Sequence, residues 1–65
     1  MDSDRLDKER IKLAKNYFDL GKNYEYMEDP WSALDCYRNA FRLDPENHEY
    51  KKNEDEIASY LFSNQ

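Results

Sequence analysis

Cys36, His48 and the acidic run Glu54-Asp55-Glu56 are the side chains in this sequence that could attack a carbon, move a proton or hold a cation. Nucleophilic cysteine chemistry needs a base or a cationic neighbour to generate the thiolate. Cys36 instead follows Asp35 and precedes Tyr37, and no Cys–His spacing accompanies it, so it reads as a small filler in a helix. His48 is the only histidine and stands between Glu46 and Glu49, where a solvated polar residue is ordinary. One cysteine and one histidine are too few for a structural zinc site, and a single cysteine forms no internal disulfide. The acidic run lacks the alternating ligands and the glycine of a calcium loop. Gly21 is the only glycine, which excludes a glycine-rich phosphate loop. The sequence is therefore read as non-catalytic, with no cofactor and no metal.

The elements that would carry these residues are helices. The chain has no Val and no Thr, and Ile11 and Ile57 are its only β-branched residues, so a sheet is not expected. Residues 4–28 contain no breaker except Gly21, and Leu6, Leu13, Tyr17, Leu20, Tyr24 and Met27 recur at the spacings of one helical face. Asp29 before Pro30 is a helix start, an acidic cap ahead of a proline whose missing donor costs nothing in the first turn. The second helix is expected over 30–43, burying Ala33, Leu34, Tyr37, Ala40 and Phe41. Asp44-Pro45 repeats the start signal and opens a third helix over about 46–62, whose thin apolar spots, Tyr50, Ile57, Ala58, Tyr60 and Leu61, suggest a lid with one wet side. Short connections make the three helices antiparallel, an all-α, up-down-up domain spanning residues 1–65.

Residues 14–47 carry a more specific constellation. Tyr17-x-x-Leu20-Gly21-x-x-Tyr24, then Ala33-x-x-x-Tyr37-x-x-Ala40, then Pro45, resembles one tetratricopeptide repeat (TPR) over its period of about 34 residues. Gly21 and Ala33 are the small residues that allow close approach within the hairpin, and Ala40 does the same toward the next helix. Tyr17 stands where the family often has Trp, Tyr37 where it often has Phe, and the turn at Glu28-Asp29-Pro30 lacks the usual Gly. The resemblance implies a protein-interaction scaffold or adaptor, with the last helix as the polar cap of an array. It also leaves open a piece of a longer array.

In that family the first helix of each repeat lines the binding groove, and the matching residues here are Lys15, Phe18, Lys22, Glu25 and Tyr26. They imply a basic, aromatic face for a protein or peptide partner, an acidic one in particular. The signature that clamps chaperone tails is absent, since Phe18 and Lys22 occupy its Lys and Asn positions. A second apolar arc, Ile11, Ala14 and Phe18, widens the apolar surface of the first helix to about 200°, twice what one partner helix needs. Either the third helix covers it or a second copy does, so a homodimer through these residues is the alternative function. Opposite lie Arg5, Lys8, Lys12, Lys15 and Lys22, interrupted by Asp4 and Asp19, with Asp4–Lys8 a helical pair.

The balance of 10 Lys and Arg against 15 Asp and Glu gives a net charge of -5, which argues against nucleic acid and anionic membranes as partners. No apolar run exceeds three residues, so neither a membrane span nor an export signal is expected, and a cytoplasmic location follows. A mean hydropathy of -1.28 and the lack of any staple leave little stability to spare in a chain this short.

Overall fold

The computed structural model describes residues 2–63, with side chains from Leu6 onward. Helices α1 (Asp2–Tyr26), α2 (Pro30–Leu43) and α3 (His48–Ser63) form the all-α array, and there is no strand among the described residues. The Asp4–Lys8 pair and Arg5 fall outside the described side chains.

Each boundary has a chemical cause. At the end of α1 the amide of Asp29 donates to the carbonyl of Tyr24 at 2.8 Å and that of Glu28 to Glu25 at 3.0 Å, the two bonds of a Schellman cap. Such a cap needs one left-handed residue, and Glu28 supplies it at φ 62°. Asp29 then caps α2, its carboxylate accepting from the Ser32 amide at 3.3 Å, with Pro30 in the first turn. The next connection departs from the expected Asp-Pro start. The amide of Asp44 closes α2 by donating to Ala40 at 3.0 Å, and its carbonyl accepts from Asn47 at 3.1 Å, so Pro45 occupies a β-turn rather than a helix. Asn47 is the cap of α3, its side-chain oxygen accepting from the amides of Glu49 at 3.0 Å and Tyr50 at 3.4 Å.

Packing centres on α2, which buries Ala33, Leu34, Cys36, Tyr37 and Ala40. On one side Ala14 and Gly21 of α1, both buried, approach it; on the other, Ile57 and Leu61 of α3 close over Leu34, Ala33 and Tyr37. Phe18 joins the layers, its ring 5.5 Å from that of Tyr37 and 4.7 Å from that of Tyr50. The third helix therefore builds part of the core, with Tyr50, Ile57 and Leu61 buried, instead of only covering it. Trp31 and Phe62, each about half exposed, meet edge to face at 5.7 Å and tie the start of α2 to the end of α3.

The face that α1 buries is not the one its leucines mark. Leu6, Leu13, Leu20 and Met27 stay 68%, 46%, 41% and 60% exposed, while Tyr17 and Tyr24 are half-buried at the edge of the contact. Close approach decides this: a ring as large as Tyr37, with no exposed surface, needs a site without a Cβ opposite, and only Gly21 provides one. The line Ala14–Phe18–Gly21 turns inward, and the leucine line, roughly 100° away around the helix, is left in solvent. At 25 residues α1 also outreaches α2 at 14, so residues 6–13 are all exposed, and the Arg10 guanidinium, donating to the carbonyl of Leu43, is their tie to the body.

The left-handed conformation of Glu28 costs about 1 kcal/mol relative to glycine. Glu28→Gly is therefore expected to raise stability by about that amount in urea denaturation, whereas an unchanged or lower midpoint would show that the Glu28 side chain contributes compensating contacts.

Candidate functional site

Two faces of α1 remain after the core has formed, and the one beside α3 holds an open groove of about 620 Å³. Lys22 and Glu25 of α1, continued by Glu28 and Pro30 where the chain turns into α2, form one wall; Asn53, Glu56 and Tyr60 form the α3 wall, with Ile57 at the base. Asn53, Glu56, Ile57 and Tyr60 follow the three- and four-residue spacing of one helical face, so a single turn-to-turn strip of α3 supplies the whole wall.

Lys22 is held within this arrangement. Its ammonium donates to Asn53 Oδ1 at 2.9 Å and stands 5.3 Å and 5.7 Å from the ring centroids of Phe18 and Tyr37. Next to it the Tyr37 hydroxyl donates to the Glu25 carboxylate. Burial, first, and then that hydrogen bond and the Glu25 charge push the Tyr37 phenol far above its ordinary value. Tyr50 is also raised, mainly by burial and secondarily by the charge of Asp44.

Of the five residues expected on the partner-binding face, Lys22 and Glu25 line the groove. Lys15 lies on the outer surface of α1, paired with Asp19 at 3.1 Å. Tyr26 is 90% exposed at the end of α1 and is not among the groove residues. Phe18 packs between Tyr37 and Tyr50, so it supports the groove from beneath and offers little surface to a ligand. Of the arc expected for self-association, Ala14 has no exposed surface and Phe18 is largely taken up by the fold, which leaves Ile11, 46% exposed.

Glu28, Asn53, Glu56 and Tyr60 were not among the sequence candidates. Asn53 and Glu56 sit in the polar stretch of α3 that reads as plain solvated surface, and nothing in their types separates them from their neighbours. The signal that could have found them is the spacing of Asn53, Glu56 and Tyr60 around Ile57, which follows that stretch and whose burial, with that of Leu61, fixes which side of α3 faces α1.

The residues capable of covalent chemistry stand apart from the groove. Cys36 is buried, and desolvation, helped by the Asp35 charge, raises its thiol above the ordinary value, which disfavours the thiolate. His48 is exposed at the start of α3. Glu54 meets Arg38 at 3.7 Å and Asp55 meets Lys51 at 3.3 Å. Among the described residues no cluster of His, Cys, Asp and Glu could hold a metal ion.

The raised acids set a pH dependence. Tyr37, Tyr50 and Cys36 each lose a proton less readily in the folded chain than in the unfolded one. Their contribution is complete below the ordinary values of 9.0 for the thiol and 10.0 for the phenols, and it drains away as pH climbs past them. Stability should hold from neutrality to about pH 9 and then fall. In Tyr37→Phe, which has no phenol at that site to titrate, the alkaline fall should be shallower; urea midpoints against pH check this, and an equally steep fall would remove Tyr37 as its source.

No family model matches this chain, and no curated protein and no solved structure matches it significantly.

Proposed function

We propose that the chain is a non-catalytic protein-interaction module, a TPR-like hairpin closed by a capping helix, which docks a segment of a partner protein in the groove between α1 and α3. The observation that carries this reading is the lining of that groove, where Glu25, Glu28 and Glu56 share the walls with a single ammonium, Lys22, over an apolar base at Ile57. Three carboxylates against one ammonium favour a Lys or Arg side chain, whose aliphatic stem suits Ile57 and Tyr60 while its head meets the carboxylates. Of the lysines that pointed to an acidic partner, Lys15 is paired with Asp19, and Lys22, whose charge the Asn53 amide leaves in place, is outnumbered in the groove even with Glu25 accepting from Tyr37. The proposed partner segment is therefore cationic.

Among the described residues no helix is long and apolar enough to cross a membrane.

Fluorescence anisotropy with a Lys/Arg-rich peptide and an Asp/Glu-rich peptide of equal length tests the reading. The cationic peptide should bind at least about tenfold more tightly, and less so as salt is added. Glu28 and Glu56 are exposed, so Glu28→Lys with Glu56→Lys should keep the helicity and abolish that preference. Tighter binding of the acidic peptide to the unaltered chain would return the site to the Lys15 and Lys22 face.

A further inference from the structure

The second face left over by the core is the leucine line of α1. Leu6, Leu13, Leu20 and, one residue past the end of the helix but still bonded to Asn23 in helical register, Met27 lie seven residues apart and are 68%, 46%, 41% and 60% exposed. Neither α2 nor α3 covers them: α2 packs on the Ala14–Gly21 line, and α3 meets α1 on the other side, at Phe18 and Lys22. At a seven-residue interval a helix drifts only about 20° per repeat, so the four side chains form a nearly straight ridge about 32 Å long. Tyr17 and Tyr24, half-buried, complete the alternation of three and four along its edge. The exposed apolar surface amounts to roughly 400 Å² per copy, the size of the largest patch on an ordinary monomer.

We infer that this ridge is the dimer seam of the protein, and that a second copy of the same chain covers it with its own α1 in antiparallel orientation. A seven-residue period is the repeat of a helix that packs along another helix of equal pitch, and α1 itself is such a helix. Two ridges of this size, with their polar margins, approach the lower end of stable interfaces, about 1,200 Å² in total. Beside Leu13 the ridge opens into a hollow bounded by Lys8, Glu9, Arg10, Lys12, Asn16 and Leu43.

Charge fixes the orientation. Lys12 and Asp19 lie seven residues apart on the same open flank of the ridge, and Asp19, already paired with Lys15 of its own helix, keeps an exposed carboxylate there. A two-fold axis level with the step from Asn16 to Tyr17 sets Leu13 against Leu20 of the second copy and Leu6 against Met27, and brings each Lys12 within a turn of the other copy's Asp19. Parallel pairing would place the two Lys12 side chains level with one another, and likewise the two Asp19. The acidic groove between α1 and α3 lies around the other side of α1 and stays open, so this inference stands apart from the cationic partner.

Sedimentation equilibrium of the full chain from micromolar to millimolar concentration is expected to show a mass rising to twice that of one chain. Lys12→Glu, which sets a carboxylate near Asp19 of the second copy and touches no core residue, should weaken the dimer roughly tenfold. The exchange Lys12→Asp with Asp19→Lys should restore it, because the antiparallel pair survives the swap. In a Cys36→Ala background, Asn16→Cys should oxidise readily to a linked dimer, whereas Glu9→Cys, about 22 Å from its counterpart along the axis, should not. A single-chain mass at every concentration overturns the inference. So does a swap that fails to restore the dimer, or equal cross-linking at both positions, which is the parallel result.

Discussion

The Tyr37 ring occupies the space that a side chain at position 21 would need. A Cβ built on Gly21 would lie 2.6 Å and 2.8 Å from Cε1 and Cδ1 of that ring, closer than real Cβ atoms come. Tyr37 has no exposed surface, so the ring has nowhere to retreat. The separation of α1 and α2 is set at this contact. Ala14 and Ala40, both fully buried one layer further along, keep the helices close, and the chosen rotation of α1 follows.

That rotation distributes function over the surface. With Gly21 inward, Phe18 is carried onto Tyr37 and Tyr50, which seats α3 beside α1 and forms the acidic groove. The same turn of the helix leaves the leucine ridge outside. The Tyr37 hydroxyl reaches through to Glu25 at the groove wall, so one side chain both sets the helix spacing and holds a carboxylate of the candidate site. A chain of 65 residues with no disulfide has few buried contacts to share among these tasks, and Tyr37 serves several.

The helices were legible in the sequence because composition left no alternative. Absence of Val and Thr, one glycine, and Asp29-Pro30 as a start were enough to place the α1–α2 hairpin within two residues of its bounds. Asp44-Pro45 misled because an Asp-Pro pair fits a β-turn as well as a helix start, and the Asn47 two residues on is the better cap. Gly21 was also legible as a close-approach residue, since glycine has few other uses in a helix interior, but what it meets is Tyr37 and not Ala33. Which face of α1 turns inward was not: hydrophobic periodicity ranks leucine above glycine, while close packing against a tyrosine reverses that order. The groove was only half legible, because its second wall depends on which side of a mostly polar α3 faces α1, a tertiary outcome fixed by Ile57 and Leu61.

The Gly21–Tyr37 contact is most directly tested by urea denaturation of Gly21→Ala. In a helix interior free of such a contact, this replacement stabilises by about 1 kcal/mol through helix propensity alone. Here the added methyl group meets a buried ring, and overpacking of this kind costs typically 1–3 kcal/mol, so a net loss of about 1 kcal/mol is predicted. A gain in stability would contradict the account, since it would mean that α1 and α2 are not held apart by this ring and that the face buried by α1 is set elsewhere.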